Sequence, residues 1–286
     1  MPSLFHTLET MAARGAEGLA PDARKALFDA LIRLRHTDGG CAAPSGTPDP
    51  YYSLFAWLCL RALDPSALET APVERYLLTC IPASPVDALC TRLVRLNAAP
   101  SPTLAKLRAV FSVMLHPPRD AYASFLSALT LDTAFISGMP KVLKRLIVSR
   151  LRVAGHAPTP RLAAKLTLLP PGHPECGALQ NALLQRRCPA GGFVSSANAS
   201  SPDLLATAVA RFALTMHTPT GLTAADTAAD LAFTETCWAG DGLFGPLPYP
   251  ARGDTEHTFY ALLALGTCRP IHRTRNLPLD KRGVEM

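Results

Sequence analysis

The sequence predicts an all-α fold, and three observations carry that expectation. Few runs alternate with period two, so strand signals are nearly absent. Proline is abundant, with 27 residues, yet it falls mostly at the starts of apolar periodic segments, where its missing amide hydrogen costs nothing. Finally, one design recurs: a glycine pair or Asp-Gly, a short polar loop, then an apolar segment opening on an acid or proline. It appears at Asp38-Gly39-Gly40 before 48–63, at Gly191-Gly192 before 202–214, and at Asp241-Gly242 before 254–266. Gly192 and Gly242 lie 50 residues apart, and Gly40 lies 152 before Gly192, close to three such periods. A loop-plus-helix unit recurring at this spacing is the mark of a repeat architecture.

Taken in order, the pattern predicts a short helix near 3–13. Further helices follow near 21–36, 50–63, 72–82, 85–96, 102–115, 119–130, 140–153, 160–168, 175–186, 202–216, 222–234 and 254–266. Ser84, Ser101, Thr159 and Ser201 each precede a proline, the N-cap and N1 pairing that starts a helix. The segments 51–58 and 259–265 are apolar nearly all round and read as buried on every side, whereas 23–35 keeps a charged face for water. Short connections imply antiparallel hairpins. An inner ring of apolar helices inside an outer ring of amphipathic ones makes an α/α toroid (α/α barrel), a single domain over 1–268. The remaining 269–286, with Arg269, Arg273, Arg275, Lys281 and Arg282, reads as an extended basic C-terminal tail.

Composition narrows the function classes. Apolar residues make up 48% of the 286 and charged residues 17%, the balance of a globular chain. Net charge is +6, which favours acidic partners mildly, but no helix carries the dense cationic stripe of a nucleic-acid reader. The longest apolar runs, 54–60 and 259–265, are too short to span a bilayer, and 1–14 has no secretory apolar region. Eight cysteines form no Cys-x-x-Cys pair, and Cys59, Cys80 and Cys90 sit in apolar runs as small hydrophobes. A reducing, cytoplasmic setting is the expectation.

The last unit, Asp241-Gly242-Leu243-Phe244 followed by Gly253-Asp254-Thr255-Glu256-His257-Thr258-Phe259-Tyr260-Ala261-Leu262, resembles the closing repeat of protein prenyltransferase β subunits. Gly191-Gly192-Phe193 with Asp203 resembles an earlier repeat of that family, whose wider superfamily includes terpene cyclases and other α/α toroids. The resemblance covers 186–268 and extends more weakly to 38–64. It implies a central cavity for a hydrophobic, isoprenoid-type substrate or a lipidated peptide, a zinc cofactor, and a partner α subunit. The zinc of that family is held by an Asp, a Cys two residues later and a distant His. These fall on Asp203, Leu205 and His257, so the sulfur position is a leucine. The loop before Asp203, residues 194–201, also lacks the cations that hold a diphosphate in the family. The cyclase branch needs an Asp-x-Asp-Asp acid. Here Asp226 and Asp230 stand at i, i+4, a spacing that predicts two carboxylates on one solvated helix face. A stretch from Cys237 to Gly242 is similar to lanthionine cyclase toroids, and a Cys237–His257 metal pair is a further alternative, but the second Cys-His motif of that family is missing.

Asp203, Asp254 and His257 are therefore the candidate catalytic residues, as acid/base groups or metal ligands. The competing reading is that Asp203 and Asp254, like Asp49, cap the helices they precede. Trp238, Phe244 and Tyr260 are the candidate substrate-binding residues, with Tyr51 and Trp57 as further aromatics and Trp57 assigned to core. Lys141, Lys144, Arg145, Arg150 and Arg152 form a basic amphipathic segment that reads as a solvated outer helix, or as one that meets anionic lipid. Two functions stay open: a divergent prenyltransferase-like or terpene cyclase-like enzyme, or a non-catalytic toroid that binds a lipid, peptide or protein partner.

Overall fold

The computed structural model describes residues 3–64, 69–98, 103–115, 121–135, 153–217 and 221–268. The expected helix at 140–153, with its basic residues, and the tail at 269–286 fall outside the described residues. Among those described there are twelve helices: α1 (Leu4–Glu17), α2 (Pro21–Arg33), α3 (Pro50–Leu63), α4 (Thr70–Thr79), α5 (Pro85–Ala98), α6 (Thr103–Leu115), α7 (Ala121–Phe135), α8 (Thr159–Leu168), α9 (Glu175–Leu184), α10 (Leu204–Thr215), α11 (Ala224–Thr236) and α12 (Thr255–Cys268). The one sheet among these residues pairs β1 (Phe193–Val194) with β2 (Pro202–Asp203), antiparallel, with Phe193 opposite Asp203. No helix among them is long and apolar enough to cross a membrane.

Several start signals are physical caps, but Thr159 is not: it lies inside α8 and its hydroxyl donates to the Val194 carbonyl. The Asp49 carboxylate accepts from the Tyr51 and Tyr52 amides, Asp203 from Ala206, and Asp254 from His257. Pro21, Pro50 and Pro85 occupy the first helical position of α2, α3 and α5. The expectation for Ser201 shifts by two residues: Pro202 is taken into the β1–β2 pair, so Asp203 becomes the cap of α10.

Helices α3, α10 and α12 are buried along almost their whole length, including Ser53–Leu60, Leu204–Leu214 and Thr258–Thr267. Their neighbours follow a cyclic order: α3 packs on α5, α5 on α7, α7 on α8, α8 on α10, α10 on α12, and α12 on α3. Helix α1 packs against α12, α3 and α7, with Phe5 against Trp57 at 6.1 Å and the Leu4 amide donating to Asp132 of α7.

The glycine-marked loops repeat atom by atom. The amides of Cys41, Phe193 and Phe244 donate to the hydroxyls of Ser53, Thr207 and Thr258 at 2.8, 2.9 and 3.0 Å. Each hydroxyl stands four residues after the capping Asp. In register, Gly39 aligns with Gly191 and Gly242, not Gly40 with Gly192 and Gly242, and the last two units are 51 residues apart. These glycines hold φ of +92°, +105° and +92°. A Cβ would meet the backbone carbonyl oxygen of Pro72 on α4, Ala229 on α11 or Ala26 on α2, at 2.3, 2.2 and 2.7 Å. Glycine is thus required twice over, by conformation and by the close approach of an outer helix.

One expectation is overturned. Asp230 is not on a solvated face; it is 0% exposed. Its carboxylate takes the Arg211 guanidinium at 2.6 Å, Arg187 at 3.3 Å and the Gly192 amide at 2.8 Å. Asp226, one turn earlier, closes a capping box with Thr223 and pairs with Arg187. Asp230 faces inward because two arginines distant in sequence supply its countercharge, whereas Asp226 stays partly exposed.

Candidate functional site

Asp254, Glu256 and His257 open α12 and offer three ligand atoms within 4.8 Å of one another. The Asp254 carboxylate does two tasks. It caps the helix through the His257 amide at 2.8 Å, and it holds the imidazole Nδ1 with both oxygens, at 2.8 and 3.0 Å. The two side chains are 19% and 14% exposed, so the pair meets solvent over a small area. Nε2 of His257 carries no hydrogen bond to any described residue and is the atom available to a ligand. Glu256 is 4% exposed, and one of its oxygens accepts from the Tyr51 hydroxyl of α3 at 2.5 Å. Two helix starts 205 residues apart therefore meet in one hydrogen bond.

The electrostatics follow from that burial. Desolvation pushes the Glu256 carboxyl up to about 7, against the lowering pull of His257 and of the Tyr51 hydroxyl. Burial works against a charged imidazole at His257, but the hydrogen bond and charge of Asp254, with Glu256 and Asp203, outweigh it and raise its pKa. Burial also raises Asp203, although the Ala206 amide, the Ser195 hydroxyl and His257 all favour its charged form. The phenol of Tyr51 is held in its protonated form, by burial first and then by neighbouring acidic groups. The site thus sets a buried carboxyl raised to about 7 beside a carboxylate-bound imidazole whose pKa is also raised, an arrangement suited to moving protons.

The structure joins Asp254 directly to His257 and leaves Asp203 within electrostatic reach of that histidine. It adds Glu256, to which the sequence reading gave no role. The available signal was its place between two candidate residues, but an acid in a first helical turn reads equally well as a partner of the helix dipole.

The predicted substrate-binding residues go elsewhere. Trp238 and Phe244 pack edge to face at 4.9 Å and line a cavity of about 370 Å³ with Leu19, Ala23, Leu231 and Leu265. His257 is not in its wall. Tyr260 is 1% exposed and belongs to a chain of rings: Tyr51 on Phe55 at 4.9 Å, Phe55 on Tyr260 at 5.4 Å, Tyr260 on Phe125 at 6.3 Å, and Phe125 on Phe212 at 6.2 Å. Those rings connect α3, α12, α7 and α10. Trp57 is core, as expected, at 1% exposed. Cys237 is fully buried, and its Sγ donates to the Phe233 carbonyl.

Asp254, Glu256 and His257 form an O, O, N donor set chemically suited to a divalent cation such as zinc. The donor set implied by the family resemblance does not fit, because Leu205 is apolar and 6% exposed. No protein-family model matches the chain, and no curated protein matches it.

Proposed function

We propose that the chain is an α/α toroid whose function resides at the shared starts of α3, α10 and α12, where it carries out acid–base chemistry on a hydrophobic, isoprenoid-type ligand. The cyclic order of helix neighbours supports ring closure. So does Gly242 of the last loop lying against Ala26 of α2, as Gly191 lies against Ala229 of α11. The observation that carries the functional reading is the contact of Glu256 with Tyr51 beside the Asp254–His257 pair. A buried carboxyl raised to about 7 is a general acid near neutral pH, matched to a leaving oxygen. The ring of Tyr51, whose hydroxyl meets Glu256, packs edge to face on Phe55 and would favour a developing cation nearby. Asp254 keeps the imidazole of His257 oriented, so that Nε2 presents a proton or a lone pair outward. Asp254, Glu256 and His257 would hold a zinc ion, which would supply Lewis acidity there; Glu256 would then be a deprotonated ligand, so its proton-donor role belongs to the metal-free site.

A second reading has an observation of its own. Phe55, Phe125, Phe212 and Tyr260 touch ring to ring at 0–1% exposure, which suits a toroid with a filled interior that binds a lipid, peptide or protein partner on its rim. Incubation of the purified protein with prenyl diphosphates plus acceptor peptides, and with linear polyenes, separates the two by mass spectrometry of products. Turnover lost in Glu256→Gln and reduced in His257→Ala supports the enzyme. Turnover indifferent to both changes refutes this site, and ligand retention without turnover favours the binding protein. Metal analysis of the same preparations, with and without chelator, decides whether the donor set is loaded.

A further inference from the structure

Helix α6 presents the wrong kind of surface to water. Its inward residues Ala109, Val110 and Val113 are buried, as a packed helix requires. Its outward stripe, however, is Leu104, Arg108, Phe111 and Leu115, and the three apolar members are 61%, 59% and 72% exposed. At 3.6 residues per turn these four fall within an arc of about 60°. By contrast, α2 covers its solvent side with the Lys25–Asp29 ion pair. Half of the six strongly exposed large apolar residues among those described lie on this one stripe. A contiguous apolar strip of this kind marks an interaction surface.

The charge of the chain says what the surface meets. Between residues 87 and 175 there are twelve Lys and Arg against four Asp and Glu, a balance of +8 along the sequence, while the rest of the chain carries −2 of the +6 total. Helix α6 lies inside that basic stretch and carries Lys106 and Arg108 with no acid of its own. A second copy docked face to face would bring Arg108 toward Arg108, which like-charge repulsion opposes. Exposed leucine and phenylalanine with basic neighbours suit the boundary between headgroups and acyl chains of an acidic bilayer. There the aliphatic stem of Arg108 packs along the apolar strip while its guanidinium stays at the phosphate level.

We infer that the outward face of α6, built on Leu104, Arg108, Phe111 and Leu115, docks this protein on the surface of an anionic membrane. This inference does not depend on the proposed proton-transfer site. The test is flotation of the purified full chain with vesicles of phosphatidylcholine alone and of phosphatidylcholine with phosphatidylserine, at low and high salt. The expected result is recovery with the anionic vesicles, falling about tenfold or more with neutral ones and at high salt. In the variant Phe111→Ser/Leu115→Ser, anionic-vesicle binding should fall by about tenfold, since two exposed apolar side chains no longer insert. Leu247→Ser, at an exposed leucine on another loop, should bind as wild type. Circular dichroism confirms that each variant is folded. Equal recovery of wild type and the double variant overturns the inference, as does failure of wild type to bind anionic vesicles. Concentration-dependent dimerisation abolished by the double variant also overturns it, by assigning the face to a second copy.

Discussion

Asp230→Ala is the most demanding test of how the last two units are joined. The carboxylate, 0% exposed, holds Arg211 of α10 at 2.6 Å, Arg187 at 3.3 Å and the Gly192 amide at 2.8 Å. Arg211 is itself 3% exposed and reaches across to α12, where it donates to the Thr267 hydroxyl and carbonyl at 3.3 Å each. Removing Asp230 leaves that guanidinium buried without a countercharge, a loss of about 3–5 kcal/mol. The orphaned Gly192 amide adds about 1–3 kcal/mol, not fully additive with the first loss. Arg187 still has Asp226 at 2.7 Å, so its share is small. A net loss of about 4 kcal/mol is a large part of the 5–15 kcal/mol available to a domain. The double variant Asp230→Leu/Arg211→Met removes both charges and keeps volume, so it should cost less than the single change. Urea denaturation at neutral pH, followed by far-ultraviolet circular dichroism, measures both. If Asp230→Ala lies within about 1 kcal/mol of wild type, or the double costs the sum of its singles, the charge-pair account is wrong.

Three further outcomes are expected. Gly266→Ala, which in a free helix would stabilise by about 1 kcal/mol, should instead destabilise by about 1–3 kcal/mol. The reason is that its Cβ would lie 1.7 Å from the Met11 carbonyl oxygen of α1; thermal denaturation reads the sign. Ser53→Ala, Thr207→Val and Thr258→Val should each cost about 1–3 kcal/mol, and comparably, because each strands one buried loop amide. Glu256→Gln should change the pH dependence of stability. The folded carboxyl titrates near 7 against an ordinary 4.5, so the folded state binds more protons between those values. Stability from this group is present below about 4.5 and lost as pH rises through 7, at most about 3 kcal/mol. The glutamine variant should lose that slope and be the more stable protein at pH 8. An unchanged slope in chemical denaturation across that window shows that Glu256 does not titrate there.

The fold was legible where physics is local. The bounds of α3 and the caps at Asp49, Asp203 and Asp254 depend only on neighbours in sequence, and the cap residue, proline and apolar run were all in view. The glycine repeat was legible except for a one-residue register error, because only the hydroxyl four residues after the Asp fixes which glycine is equivalent. What failed was non-local. Asp230 looked solvated because Arg211 and Arg187 stand 19 and 43 residues away. Glu256 drew no role because the Tyr51 hydroxyl that marks it is 205 positions distant. Phe244 lines a cavity whose wall does not include His257, although its amide is tied to the same helix start. Sequence shows which residues share a loop, but not which side of the loop each side chain leaves.

The repeat itself accounts for the place of the proposed chemistry in the last unit. The positions two and three after the capping Asp are Tyr51 and Tyr52 in α3, Leu205 and Ala206 in α10, and Glu256 and His257 in α12. Cap and loop are satisfied by the Asp and by the hydroxyl four residues on, so the side chains two and three after the Asp are not needed for either and can differ. Tyr51 and Glu256 are equivalent positions of units whose helices are neighbours, and they meet in one hydrogen bond. Leu205, the third equivalent, supplies an apolar wall where the resemblance implied a sulfur ligand. Asp254 then does double work, because adding a histidine three residues after a capping carboxylate gives that carboxylate an imidazole to hold without moving any backbone. A capping device repeated for folding also becomes an imidazole–carboxylate pair by the choice of one residue.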